Sequence, residues 1–231
     1  MLIPKTKLNQ ILDLAKDHKV IAIGEMHGVK ENPEIVFDIY TALKDKYSVT
    51  IGFEYPQSLI ENPNEADEWL FKDGRFSSFH KEILRKLKLD KVKTFGFDLS
   101  TNQYEDHKEK NVGWRDKIMA ENVNSKLKNI SKETKLLLVM GNMHYRTIPQ
   151  FIMIPNKEGE SKPATLLPMG AQLNTDSILA IHLSYLSGQF YNFSLRHIQT
   201  GNFDRKSSFR DLDDVIEIDI PEAHPTKIVP F

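Results

Sequence analysis

Apolar positions along the chain follow two alternating rhythms. Leu8, Ile11, Leu12 and Ala15 fall at helical spacing and predict a short amphipathic helix, while the compact run Val20 to Ile23 predicts a strand. Asn32 then supplies capping chemistry, Pro33 a preset first helical residue and Glu34 a carboxylate near the positive helix end. Ile35, Val36, Ile39, Tyr40 and Leu43 give that helix one apolar face. "SVTIGFEYP" predicts a second strand that stops at Pro56, because proline cannot extend a hydrogen-bond ladder. Residues 57 to 93 read as helices separated by "KDGRFSS", and "KTFGFDLS" as a third strand. Residues 115 to about 130 predict a helix with Met119, Val123, Leu127 and Ile130 as its buried stripe, and "TKLLLVMGNMHY" a fourth strand. Alternation of this kind predicts an α/β protein with a mostly parallel central sheet and helices on both faces.

The last third has a different texture. "IPNKEGESKPATLLPMG" is rich in turn formers and reads as a long loop; "DSILAIHLSYLSGQFYNFSL" and "DVIEIDI" read as further strands, with an antiparallel edge as the arrangement open to them. A chain of 231 residues with 40% hydrophobic and 27% charged residues fits one domain over 1–231.

Charge and composition remove whole classes of function. The 31 basic and 32 acidic residues nearly cancel, and no block of Lys and Arg could track a phosphate backbone, so nucleic acid is not an expected partner. The absence of cysteine excludes a disulfide framework, a thiol nucleophile and the usual structural zinc sites. No apolar run is long enough for a secretory signal or a membrane span. The expectation is a cytoplasmic protein that acts on a small molecule and has no membrane partner.

Candidate chemistry sits where the four predicted parallel strands end, in "GEMHG", "GFEYP", "GFDLS" and "GNMHY". A parallel sheet opens its ligand crevice outside the carboxyl ends of its strands, so Glu25 or His27, Glu54, Asp98 and His144 are expected to converge. Alone, a histidine after a strand is usually structural, and Glu54 or Asp98 could cap a following helix. Repetition over four strands points instead to a shared cleft. Arg115 adds to it, because it begins the apolar stripe that continues through Met119. A guanidinium there must either pair with a carboxylate such as Glu54 or Asp98 or face a polar cavity holding substrate. Asp116, one position on, points about a quarter turn away.

These residues carry a resemblance. "IGEMHG", "GFE", "FGFD", "RDKIMAENV" and "GNMHY", in that order, resemble the superfamily that includes erythromycin esterases, the haem-uptake protein ChaN and the Tiki metalloproteases. The likeness extends from about residue 20 to 231, and "LLPMGAQL" and "GQFYNF" are similar to the esterase branch. The chain is much shorter than typical macrolide esterases, which carry large helical insertions over the cleft. The resemblance implies an α/β fold whose cleft gathers Glu25, His27, Glu54, Arg115 and His144 as catalytic residues, with the first-motif histidine, His27, activating water. Asp98, Asp116 and Tyr145 are expected as substrate contacts in the same cleft.

No G-x-S-x-G elbow is present, so water is the expected nucleophile in hydrolysis of an ester or related acyl bond. His27 would take its proton, Arg115 would stabilise an oxyanion and His144 would donate to the leaving group. That route needs no cofactor. Two alternatives stay open: a metal-dependent hydrolase, since two histidines and two or three carboxylates suffice for a divalent metal, and a non-enzymatic haem or small-ligand binder with Tyr145 or a histidine as axial ligand.

Overall fold

The computed structural model describes residues 1–64, 68–105, 113–155, 161–198, 212 and 214–226. Its first elements are α1 (Lys5–Leu14), β1 (Val20–Glu25), α2 (Asn32–Lys44), β2 (Ser48–Pro56), α3 (Gln57–Glu61) and α4 (Glu68–Lys72). They are followed by α5 (Ser78–Leu89), β3 (Lys93–Asp98), α6 (Thr101–Glu105), α7 (Trp114–Asn129) and β4 (Thr134–Gly141). The remainder is β5 (Gln150–Pro155), β6 (Ser161–Leu166), β7 (Ile178–Tyr185), β8 (Gln189–Asn192), β9 (Ser194–His197) and β10 (Asp214–Ile220).

Six strands form the central sheet in the order β10-β7-β1-β4-β2-β3, and every neighbouring pair is parallel. Successive side chains of a strand point to opposite faces. Ile21 and Ile23 therefore join one core with Ile11, Ile39, Leu43, Ile83 and Leu87 from α1, α2 and α5. Val20 and Ala22 join the opposite core with Met119, Val123 and Leu127 from α7. Continuous apolar runs in β1 and β4 follow from this burial on both faces.

The structure corrects three local expectations. β7 and β10 run parallel to β1, not antiparallel at an edge, because the long connections after β4 and β7 return the chain to the same end of the sheet. An apolar run has the same appearance in either direction. Antiparallel pairing is confined to two separate ribbons, β5 with β6 and β8 with β9. The β5–β6 ribbon occupies part of the turn-rich stretch read as a loop; Pro163 is tolerated there because a two-stranded ribbon leaves an open edge. Residues 156–160 of that stretch lie outside the described residues.

Asn32 is the third case. It is the first residue of α2 rather than its cap, and its side chain makes no capping bond. Fully buried, it donates from Nδ2 to the Met26 carbonyl at 2.8 Å and accepts from the Tyr185 hydroxyl at 2.7 Å. The start of α2 thus holds the turn that follows β1. Among the described residues no helix is long and apolar enough to cross a membrane.

Candidate active site

The parallel sheet brings the carboxyl ends of β1, β2, β3 and β4 to one edge, and the N-terminus of α7 closes over it. β2 carries a bulge: Phe53 pairs with Gly96 but Pro56 with Asp98, so Glu54 and Tyr55 fall within the irregularity. A bulge of this kind re-aims side chains beside it. It also brings the Tyr55 carbonyl within 2.4 Å of where a Cβ on Gly96 would lie, which is why glycine stands there.

Glu54, 3% exposed, is the hub. Its Oε2 accepts the Gly141 amide at 2.7 Å and lies 3.7 Å from His27 Nε2. Its Oε1 accepts from Arg115 Nη2 and lies 3.5 Å from both His144 Nε2 and Arg75 Nη1. Gly141 leaves the space this needs, since a Cβ would stand 3.1 Å from His27 Nε2. Burial alone would raise the Glu54 pKa, but the charged form of His144, together with Arg115 and His27, outweighs it and holds the carboxyl well below the ordinary range.

The two histidines have different supports. His27 Nδ1 faces Glu25 Oε1 at 3.2 Å. Burial lowers the His27 pKa, but Glu54 and Glu25 together overcome it and raise it to about 9. His27 is therefore an imidazolium at neutral pH. Glu25 itself is raised, chiefly by burial. His144 Nδ1 meets Asp116 Oδ1 at 2.7 Å, and the same oxygen accepts the Met169 amide at 2.8 Å. An ionised carboxylate only accepts, so Nδ1 carries the proton and His144 Nε2 is left toward the cleft, 3.4 Å from Arg115 Nη1.

Arg115 takes the paired alternative, with both expected partners. Nε and Nη2 grip Asp98 at 2.9 and 2.8 Å in a bidentate fork, while Nη2 also reaches Glu54. Burial would lower its pKa, but Glu54 and Asp98 raise it well above the usual value.

The site thus unites Glu25, His27, Glu54, Asp98, Arg115, Asp116 and His144. Asp98 and Asp116, expected as substrate contacts, are engaged by Arg115 and His144 respectively. Tyr145 lies apart: it is 1% exposed, its ring lies where a Cβ on Gly24 would stand, and its hydroxyl meets His182 Nδ1 at 2.9 Å. Sequence reasoning missed Arg75 and Asp73, in the segment read as a helix separator. Arg75, 4% exposed, bonds Asp73 Oδ2 at 2.6 Å and Asp98 Oδ2 at 2.5 Å, giving the carboxylate layer a second cation. Neither lies on a periodic element, so no local pattern signalled their burial. Among the described residues no group of three or more His, Asp and Glu side chains has the geometry to hold a metal ion.

No family model and no curated protein sequence matches this chain. Solved structures do. An erythromycin esterase, EreC, in its open conformation matches with a TM-score of 0.55 at 12% identity, over 86% of this chain and 82% of the other. A protein from Bacillus cereus matches with a TM-score of 0.50 at 10% identity, over 99% and 96%. ChaN of Campylobacter jejuni, with cofacial haem, matches with a TM-score of 0.46 at 14% identity, over 83% and 91%. At these identities the likeness is one of fold: the chain shares its α/β architecture with the esterase and with the Bacillus cereus protein.

Proposed function

We propose that the protein is a hydrolase that directs water at an ester or related acyl bond of a small molecule. One observation carries this reading: the layer that reaches solvent is made of His27, His144 and Arg115, with side chains 20%, 15% and 27% exposed. The carboxylates that orient them, Glu25, Glu54, Asp98 and Asp116, are at most 8% exposed. Such layering presents one acceptor nitrogen and two cationic groups to a ligand. It suits a reaction in which a proton is removed from water while negative charge grows on an acyl oxygen.

Protonation divides the labour between the histidines in reverse of the sequence-based assignment. His144, oriented by Asp116, takes the water proton at Nε2 as the water oxygen attacks the acyl carbon. His27, already protonated, and Arg115 Nη1, whose only hydrogen-bond neighbour among the described residues is His144 Nε2, face the developing oxyanion. His27 then passes a proton to the leaving oxygen when the acyl bond breaks. No cofactor enters this sequence. The fold shared with an erythromycin esterase is compatible with acyl-bond hydrolysis.

A panel of chromogenic esters, assayed with the parent and with His27→Ala and His144→Ala, tests the reading. Each variant should fold and lose roughly 10²–10⁴ in kcat/KM, because each removes one proton-transfer group. Unchanged turnover in either would remove that histidine from the chemistry. Because His27 must be charged, kcat should also fall as pH rises through about 9.

A further inference from the structure

Behind the solvent-facing layer, between β1, β2, α2 and α5, lies a cavity of about 10 Å³. Val36, Phe53, Tyr55 and Ile83 supply apolar walls, and Glu25 and His80 its polar ones. Both polar side chains are 5% exposed, and each has one committed and one uncommitted atom. Glu25 Oε1 faces His27, whereas Oε2 is buried without a hydrogen-bond partner. His80 Nδ1 meets Ser77 Oγ at 2.8 Å, whereas Nε2 is buried without one. A buried polar atom left unpaired is uncommon, and two that line one cavity indicate a common partner. The space is about that of a single water, and a water needs at least two polar neighbours.

We propose that this cavity binds one water joining Glu25 Oε2 to His80 Nε2, and that His80 is thereby a positioning residue for His27. The proposal rests on the reading of His27 as a reactive group.

Local structure supports it independently. Ser77 is the N-cap residue of α5, but its hydroxyl makes no capping bond and is given to His80 three residues on. The ring is stacked on Phe76 at 6.2 Å and met edge-on by Tyr55 at 6.2 Å, so its direction is fixed. Burial, then the His27 charge, lowers the His80 pKa to about 3, so the ring stays neutral. With Ser77 donating to Nδ1, the ring proton is on Nε2 and donates to the water, which donates in turn to Glu25. The other ionisable groups acting on Glu25 are His27 and Glu54, with the Tyr55 and Tyr185 hydroxyls nearby. Among these only His27 offers a charge that favours the Glu25 anion. A second donor, from the His80 side, keeps Glu25 ionised against its burial and so keeps His27 protonated.

The test is histidine-labelled NMR titration of the full chain, beside a high-resolution crystal structure. The parent His27 should titrate near 9. His80→Leu should lower that midpoint by about one pH unit, the effect of losing a hydrogen bond to a charged group. His80→Gln, which can return an N–H to the Nε2 position, should recover most of the difference. Ser77→Ala, milder toward the fold, should shift His27 in the same direction by less. The crystal structure should show a water within hydrogen-bond distance of both Glu25 Oε2 and His80 Nε2. An unchanged His27 midpoint in both His80→Leu and Ser77→Ala, or a cavity without that water, overturns the proposal. Full hydrolysis by His27→Ala would instead overturn the catalytic reading and leave the titration result standing.

Discussion

β1 and β4 are neighbours in parallel register and end in nearly the same letters, Gly24-Glu25-Met26-His27 and Gly141-Asn142-Met143-His144. The two turns nevertheless make different imidazoles. His27 finds its carboxylate inside its own motif, at Glu25, and a second one at Glu54, and the pair keeps it charged. At the position matching Glu25, β4 has Asn142, so His144 takes its nearest carboxylate, Asp116, from the first turn of α7. Met26 packs against the core beside α2, whereas Met143 is 46% exposed. The lesson is that a strand-end histidine acquires its role from which carboxylate reaches it, and that the local letters name only some of the candidates.

Glu54 serves both turns, so its replacement should break both halves of the comparison at once. Glu54→Gln leaves the buried Arg75 and Arg115 short of a charge partner and removes the anion between the histidines. It is expected to abolish hydrolysis and to lower unfolding stability by about 3–5 kcal/mol, read from urea denaturation beside kinetics on the same preparation. A loss of activity with stability intact would confine Glu54 to orienting the histidines.

The next effect should be confined to β4. Asp116→Asn can donate to His144 Nδ1 and trap the ring with its proton on Nε2, where it cannot receive another. Turnover should fall roughly 10²–10⁴-fold while the His27 titration stays as in the parent. If kinetics are unchanged, the tautomer argument for His144 as base fails.

The smallest effect sharpens the β1 half. His27 rises from 6.5 in the unfolded chain to about 9 in the fold, so the folded protein holds the extra proton between those values. The resulting stability is complete below pH 6.5 and is lost as pH rises through about 9. Its slope approaches roughly 1.4 kcal/mol per pH unit within that window. His27→Gln should flatten this limb in urea melts taken from pH 6 to 9.5. A slope that persists in the variant belongs to another group.

Much of the site was legible because periodicity and strand ends are local signals. The apolar runs of β1 and β4 and the stripe of α7 announce elements buried by the sheet, and each motif lies at an element boundary where chemistry can be exposed. Arg115 was detectable because it stands at the head of that stripe, and both of its candidate partners proved to be real ones. Arg75 was not, since a guanidinium between Gly74 and Phe76 in a non-periodic segment carries no trace of the 4% exposure that folding imposes.

The chain by itself determined the alternation of helices and strands through β4 and, through parallel pairing, the gathering of Glu25, Glu54, Asp98 and His144 at one edge. Parallel strands share a direction, so their carboxyl ends must lie together whatever their order. Only the tertiary structure decided that β4 inserts between β1 and β2, that β7 and β10 run parallel, and that Asp116 rather than a neighbour in sequence holds His144. Those choices depend on packing between residues far apart in the chain and on the removal of water from their charges. The same desolvation lowers the His27 pKa while Glu54 and Glu25 raise it, a balance that no local pattern of residues contains.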